Sequence, residues 1–253
     1  LKMPRTLEQK LKSFPHHIYL PSDPRVVYLK SNQEKIMKKV PLEAINQLWF
    51  LENVSRGEKR FYELLKRSSD LFLALLGGMV FLILFPFIAL AIIFGSAGPI
   101  FYRQKRIGKG GKPFEVIKFR TMIQNAEQNG AVWAQKEDSR VFKFGRFLRK
   151  TRLDELPQVI NILKGEMSVV GPRAERPEFV EKLKKEIPFY EERLLVRPGL
   201  SGWAQINYGK DLDHNDTKEK LQYDLYYIKN RSFTIDLAVV LKTVKTVLSA
   251  TGW

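Results

Sequence analysis

The run LFLALLGGMVFLILFPFIALAIIF, from Leu71 to Phe94, holds no charged residue and is long enough to cross a bilayer as a helix. It stands out from a chain whose mean hydropathy is −0.24. The run lies well inside the sequence and lacks an A-x-A-like exit, so it does not read as a secretory signal and should remain in the mature protein. Basic residues flank it on both sides: Lys59, Arg60, Lys66 and Arg67 before, and Arg103, Lys105, Arg106, Lys109 and Lys112 after. An excess of Lys and Arg marks cytoplasmic flanks, so both ends belong on one side, which a single straight span does not allow. Pro86 sits inside the run, has no N–H to donate and crowds the preceding turn. A re-entrant helix that breaks at Pro86 accounts for the proline and the charges together. An ordinary kinked spanning helix stands beside it as an equal reading, because membrane helices tolerate proline. A buried core helix is a third.

Working outward, residues 1–60 are mixed and polar, with a strand-like RVVYLK at Arg25 to Lys30, an apolar patch LWFL at Leu48 to Leu51, and no recognisable chemistry. The sequence opens on Leu1, so an excerpt of a longer polypeptide is expected. After the apolar run, PIFYRQKRI and PFEVIKFRTM flank GKGGK, which predicts two strands joined by a glycine-rich hairpin turn. GKGGKP is not a Walker A loop, because Lys112 precedes Pro113 and the G-x-x-x-x-G-K spacing is missing. The polar stretch Gln124 to Asp138 reads as a loop. VFKFGRFLRK, from Val141, puts Phe144, Phe147 and Leu148 on one helical face and Lys143, Arg146, Arg149 and Lys150 largely on another, which suits a helix lying in a membrane interface or one packed on a core. The closing stretch SFTIDLAVVLKTVKTVLSATGW is again apolar, with Lys242 and Lys245 as its only basic residues, and could lie on the same surface.

Composition narrows the chemistry. The 253 residues carry 43 Lys and Arg against 27 Asp and Glu, a net charge of +16, which favours an anionic partner: nucleic acid, phosphorylated metabolites or acidic lipid. With no cysteine there is no disulfide framework, no thiolate nucleophile and no cysteine-based metal site. His16, His17 and His214 are too scattered for a histidine metal cluster or an evident Ser-His-Asp arrangement. Carboxylates must carry any metal or nucleophile chemistry.

The densest group of such side chains lies between Arg149 and Phe179. Asp154 and Glu155 are adjacent, followed by Pro157 and an apolar run that stops at Gly165, the pattern of a helix with Asp154 at its N-cap or in its first turn. A plain acidic cap is one reading. The other notes that neighbouring helical positions point about 100° apart, so the two carboxylates can serve different partners. One could hold a hard cation such as Mg²⁺ while the other attacks phosphorus. Arg149, Arg152, Arg173 and Arg176 stand ready to neutralise phosphate oxygens with bidentate forks.

Lys66-Arg67 before an apolar block with a central proline, then GPIFYRQKRIGKGGKPFEVIKFRTM, LRKTRLDELPQVINILKGEMSVVGPR, RPGLSGWAQ and YDLYYI, resemble in order and spacing the bacterial sugar transferases, the monotopic polyprenyl-phosphate phosphoglycosyl transferases. The resemblance runs from about Tyr62 to the end, and residues 1–60 are similar to the stretch before the catalytic core in longer members. It implies an α+β, predominantly helical monotopic membrane protein with a re-entrant proline-broken helix, interfacial amphipathic helices and a small β-hairpin. The corresponding divisions are residues 1–60, a re-entrant region over 61–99 and a cytosolic catalytic domain over 100–253. The expected location is the cytoplasmic face of the bacterial inner membrane. Some members have Ser-Pro at the break where this chain has Phe85-Pro86, so the hydroxyl that could satisfy a freed carbonyl is absent.

The resemblance further implies that Asp154 is the nucleophile, Glu155 an Mg²⁺ ligand, and Arg149 and Arg173 the phosphate-handling arginines, with Pro172 in the same loop. Arg197, Pro198, Gly199, Trp203 and Gln205 would help form the nucleotide-sugar pocket. The implied partners are a UDP-sugar, polyprenyl (undecaprenyl) phosphate and inner-membrane lipid, with no nucleic acid; a homo-oligomer is compatible. The implied reaction moves a sugar 1-phosphate to the polyprenyl phosphate through a phosphosugar-aspartate, releasing UMP and initiating a surface glycan. Two readings from other classes compete: a membrane-tethered nucleic-acid-binding protein, against which no recognisable nucleic-acid motif stands, and a silent scaffold of a glycan-assembly complex, disfavoured by the intact carboxylate pair.

Overall fold

A computed structural model of the chain describes residues 34, 36–45, 49, 60–124, 126, 138–209 and 214–249. The expected RVVYLK strand, and nearly all of the LWFL patch and of the loop before Asp138, lie outside these. The first long element is α1 (Arg60–Gly95), a single helix of 36 residues with Pro86 inside it. Helical structure is present on both sides of Pro86 within this one element. Pro86 removes one hydrogen-bond donor, but the residues on both sides are docked on the rest of the protein, which holds the helical path through it. Phe85 stacks on Phe101 with ring centroids 5.7 Å apart, and Ile88 is buried one turn later.

That docking runs the length of α1. Near its start, Arg67 donates from Nη1 to the Ile162 carbonyl at 2.7 Å, and Asp70 accepts from Ser168 Oγ at 3.0 Å and the Val169 N–H at 2.9 Å. Ala74 is buried, Phe81 and Phe85 form an aromatic stack with Phe101 and Phe119, and Ile92 is fully buried beside Phe142 and Leu148. The opposite face presents Phe72, Leu75, Leu76, Met79, Leu82, Ile83, Phe87, Leu90, Ile93 and Phe94 to the outside. Two stripes thus alternate at helical spacing, one packed and one bare, and both are apolar. A soluble helix would carry charge on the second.

β1 (Phe101–Ile107) and β2 (Pro113–Phe119) pair antiparallel with Phe101 opposite Phe119 and Ile107 opposite Pro113, the expected hairpin. Gly110 and Gly111 occupy positive φ in its turn, which L side chains resist. α2 (Lys143–Lys150) follows, with an expected apolar face that divides: Leu148 is fully buried with Ile88 and Phe142, whereas Phe147 is exposed. α2 is therefore a core-packed helix that shows one aromatic ring outside.

A 3₁₀ turn (Leu153–Gln158) leads into α3 (Val159–Lys164), which ends on Gly165 at φ 83°, the left-handed stop the sequence predicts. β3 (Ser168–Val170) pairs in parallel with β4 (Gly199–Ser201), and between them lie α4 (Pro177–Glu186) and a second 3₁₀ turn (Tyr190–Leu195). α5 (Trp203–Asn207), α6 (His214–Asn230) and α7 (Phe233–Leu248) complete a predominantly helical α+β fold. α7 buries Val239 and exposes Phe233, Leu237, Leu241 and Val244, a second unpartnered apolar stripe. Its carboxylate Asp236 accepts from Tyr62 at 2.8 Å and Lys66 at 3.0 Å, which ties α7 to α1.

The main core joins Val170, Leu183, Ile187, Tyr190, Leu221, Leu225 and Tyr227. Val40 and Ile45 belong to it, and the Trp203 indole donates to the Lys38 carbonyl at 3.0 Å. The described part of residues 1–60 is thereby tied into the main core.

Candidate active site

The 3₁₀ turn that carries Asp154 and Glu155 is entered through Arg152 in the left-handed region, φ 60°. That conformation is unfavourable for a side chain larger than glycine and persists only where the surroundings impose it. It turns the chain inward, so both carboxylates are 8% exposed. Asp154 lies in the first turn, as the sequence predicts, and Arg152 is the residue at the cap position.

The turn is fixed against β2 by Asn161 of α3, whose Oδ1 accepts from the Ile117 N–H at 3.1 Å and whose Nδ2 donates to the Glu115 carbonyl at 2.7 Å. Strand periodicity then delivers the next residue, Lys118, to the dyad: its Nζ donates to Glu155 Oε1 at 2.6 Å. Arg173 Nη1 stands 3.8 Å from the same oxygen. Among the described residues Asp154 has no such partner, and its Oδ1 is buried without a hydrogen bond.

The two carboxyls are consequently driven apart. Burial and then the neighbouring Glu155 charge push Asp154 above the ordinary carboxylate range, with Lys118, Arg149 and Arg152 opposing. Burial pushes Glu155 the same way, but Lys118 and Arg173 outweigh it and hold its carboxyl low. Glu155 is the settled anion of the pair, and Asp154 is the carboxyl that binds a proton more readily.

Arg149, in the last turn of α2, donates from Nε to Thr121 Oγ1 at 2.9 Å. Burial lowers its pKa, and Asp154 is the leading charge acting against that, which places the guanidinium on the Asp154 side of the pair. Arg173 arrives on the loop after β3. The Gly199 N–H holds the Pro172 carbonyl at 2.9 Å, Arg193 Nη2 holds the Arg173 carbonyl at 3.0 Å, and Arg106 Nη1 holds the Ala174 carbonyl at 3.0 Å. Arg193 is itself anchored by Tyr190 Oη at 2.8 Å and Asp224 at 2.9 Å.

Asp154, Glu155, Arg149, Pro172 and Arg173 therefore converge. Arg176 instead caps α4, 3.7 Å from Glu178 and over the Phe179 ring. Arg197 donates to the Gly165 carbonyl at 3.0 Å and lines a polar cleft of about 330 Å³ with Lys66, Lys109, Tyr227 and Arg231. Gln205 sits in α5 with Oε1 buried beside Gly202. None of these contacts brings the three to the dyad. A separate cleft of about 250 Å³ opens at Arg173, walled by Ile107, Pro172, Val180, Val196 and Pro198.

Sequence reasoning missed Lys118 and Thr121. Lys118 had a signal, since a lysine inside the apolar run of Val116, Ile117 and Phe119 needs a counter-charge. Thr121 had none, because its hydroxyl acquires meaning only through Arg149.

The carboxylate pair also bears on Mg²⁺. Among the described residues no cluster of three His, Cys, Asp or Glu could hold a metal alone. Two adjacent carboxylates, one with an unpartnered buried oxygen, fit a hard cation that completes its shell with phosphate and water oxygens.

The UDP-N-acetylgalactosamine-undecaprenyl-phosphate N-acetylgalactosaminephosphotransferase of Aeromonas hydrophila is 46% identical over 191 residues, 76% of this chain and 45% of that protein. The UDP-glucose:undecaprenyl-phosphate glucose-1-phosphate transferase of Xanthomonas campestris pv. campestris is 34% identical over 96% of this chain and 50% of its own length. The protein of the same name from Escherichia coli K12 is 43% identical over 72% of this chain and 39% of its own length. This chain spans about half the length of the curated relatives it matches. The bacterial sugar transferase family matches residues 61–250, which take in α1, the dyad turn and both arginines, and the chain belongs to that family.

Proposed function

We propose that this chain is the catalytic part of a membrane-bound transferase that moves a sugar 1-phosphate from a UDP-sugar to undecaprenyl phosphate. The observation that carries the reading is the contrast inside the dyad: Asp154 Oδ1 is buried and unpartnered, while Glu155 is held by Lys118 and Arg173. A structural ion pair would engage both carboxylates.

In the first step, an Asp154 oxygen attacks the β-phosphorus of the donor. The new O–P bond forms as the bond to the bridging oxygen breaks, and UMP leaves with that electron pair. In the second step a phosphate oxygen of undecaprenyl phosphate attacks the same phosphorus, the aspartyl O–P bond breaks, and the Asp154 carboxylate is regenerated with polyprenyl-diphosphate-sugar as product. Arg149 and Arg173 orient the phosphoryl oxygens and offset their charge, the positioning work that phosphoryl transfer demands. Glu155, with Asp154, would hold Mg²⁺, which supplies charge neutralisation on the donor diphosphate. The cleft beside Arg173, with its apolar walls, suits the nucleoside of the donor.

The bare stripes of α1 and α7 face lipid in this reading, on the cytoplasmic side of the inner membrane, with α1 entering the bilayer without crossing it as a free span. The packed stripe supports this, since a helix docked along its whole length cannot leave its domain behind. The product would begin assembly of a surface glycan.

Purified protein in nanodiscs with Mg²⁺, undecaprenyl phosphate and a panel of UDP-sugars tests the proposal by UMP release. Lipid-dependent release with a preferred sugar is expected, together with its loss in Asp154→Asn and a phosphosugar adduct on wild-type protein by mass spectrometry when lipid is withheld. Near-native turnover by Asp154→Asn would remove Asp154 as nucleophile.

A further inference from the structure

Arg149 handles phosphate only if its guanidinium is aimed, and the side chain has competing anions to choose from. Asp154 and Asp138 are the charges acting on it most strongly. Arg140 already occupies Asp138, donating to it from Nε at 2.8 Å. What fixes Arg149 is a neutral group. Its Nε donates to Thr121 Oγ1 at 2.9 Å, and among the described residues this is the hydrogen bond its side chain makes. A hydroxyl on Nε leaves the two Nη groups as a fork with the plane already set.

Thr121 is unusually well placed to act as a fixed point. It is 7% exposed. Its carbonyl accepts from the Phe142 N–H at 3.2 Å, at the N-cap of the helix that carries Arg149. Gly145, in the first turn of that helix, lies so close that a Cβ there would come within 2.2 Å of the Thr121 carbonyl oxygen. The preceding residue, Arg120, donates to the Ala97 carbonyl at 2.7 Å and also to that of Ser96, just past the end of α1. Consecutive residues therefore grip the end of the apolar helix and the phosphate-handling arginine.

We propose that Thr121 is a positioning residue for the transfer reaction: its hydroxyl holds the Arg149 guanidinium so that the free Nη edge meets the donor phosphate beside Asp154. The proposal rests on the reading of Arg149 as a phosphate group. Thr121 touches neither substrate nor the reacting atoms.

The test is a double-variant cycle on UMP release, with Thr121→Val, Thr121→Ser, Arg149→Ala and Thr121→Val/Arg149→Ala. Valine keeps the branched shape and removes the acceptor, so turnover should fall by roughly tenfold to a hundredfold. Thr121→Ser, which keeps the hydroxyl, should stay within about threefold of the parent. In the Arg149→Ala background Thr121→Val should change turnover by less than about twofold, because the group it positions is gone. An equal loss in both backgrounds, or an equal loss in the serine and valine variants, means that Thr121 acts through packing and overturns the proposal. Full activity of Thr121→Val beside a crippled Arg149→Ala overturns it while sparing the role of Arg149. Full activity of Arg149→Ala would instead remove the reading on which it rests. Thermal unfolding of each variant, unchanged for Thr121→Ser and Thr121→Val, separates misplacement from misfolding.

Discussion

Lys118 Nζ and Glu155 Oε1 lie 2.6 Å apart, and this contact decides which of two neighbouring carboxylates remains open. Two buried carboxylates side by side cannot both ionise freely. The lysine resolves the conflict in favour of charge on Glu155, whose charge raises the Asp154 pKa while the lysine itself acts to lower it. Reactivity at Asp154 is thus set partly from a strand outside the catalytic turn.

The pH dependence of turnover follows. In the proposed reaction Asp154 has to be ionised to attack, and burial and Glu155 raise its pKa. Turnover should therefore fall with decreasing pH above the range of an ordinary aspartate. Because Lys118 acts to lower the Asp154 pKa, Lys118→Met should move this acid limb to higher pH as well as reduce the maximum. A profile of kcat/KM for UMP release against pH reads both effects. An unmoved limb in the variant would place Lys118 away from the carboxylates in the working enzyme.

Arg193 and Asp224 form a buried pair, 8% and 2% exposed, that supports the Arg173 backbone. Burial pushes Asp224 up to about 6 despite the guanidinium beside it. Arg193→Met would leave that carboxylate uncompensated, a loss of about 3–5 kcal/mol at neutral pH. The sign with pH is fixed: a carboxyl with a raised folded-state pKa gains a proton on folding as pH falls, and because Arg193 itself lowers the Asp224 pKa, in the variant that pKa lies above about 6 and stability recovers on acidification from a higher pH. Denaturant unfolding of parent and variant over a pH series from mildly alkaline to mildly acidic should show a smaller defect at the lower pH. A defect independent of pH would mean the lost contact to the Arg173 carbonyl dominates.

Gly145 is a steric test of how closely α2 approaches Thr121. A Cβ there meets the Thr121 carbonyl oxygen at 2.2 Å and its carbon at 2.9 Å, and neither atom belongs to a movable side chain. Gly145→Ala should push α2 outward at a cost of roughly 1–3 kcal/mol. Arg149 lies four residues later on the same helix, so turnover should drop with stability. Loss of stability without loss of rate would uncouple the helix position from the arginine.

Much of this arrangement is written locally. The hairpin, the helix stop at Gly165 and the acidic first turn all follow from turn residues and periodicity, which act over a few positions. The convergence of Asp154, Glu155, Arg149 and Arg173 was reached through motif resemblance. Residue spacing alone left Asp154 equally readable as a cap. A helix continuing through Pro86 was one of two equal readings of the sequence, and the groups packed beside it, Phe101, Phe119, Phe142 and Leu148, arrive from later in the chain. The same non-locality hid Lys118 and Thr121 and divided the apolar face of α2 between core and exterior. Arg197, a conspicuous motif arginine, donates to the Gly165 carbonyl and lines a cleft apart from Arg173.

The two stripes of α1 make opposite predictions for substitutions of similar size. Leu82 is 70% exposed on the bare face, and Ile92 is fully buried on the packed one. If the bare face meets lipid, Leu82→Glu removes a favourable contact and introduces a charge whose burial at bilayer depth is unfavourable by up to about 3 kcal/mol, less near the interface. Unfolding in detergent should change by under about 0.5 kcal/mol, since nothing in the fold rests on that side chain. Ile92→Ala should do the reverse, with a loss of about 2–5 kcal/mol in stability from the cavity between Phe119, Phe142 and Leu148. Its partition into lipid vesicles should be unchanged, because the outer face is untouched. Flotation with vesicles and unfolding in detergent, run on both variants, separate the two faces. Should Leu82→Glu float as well as the parent, the bare stripe would have to be covered by protein, and the lipid-facing orientation of α1 would fail with it.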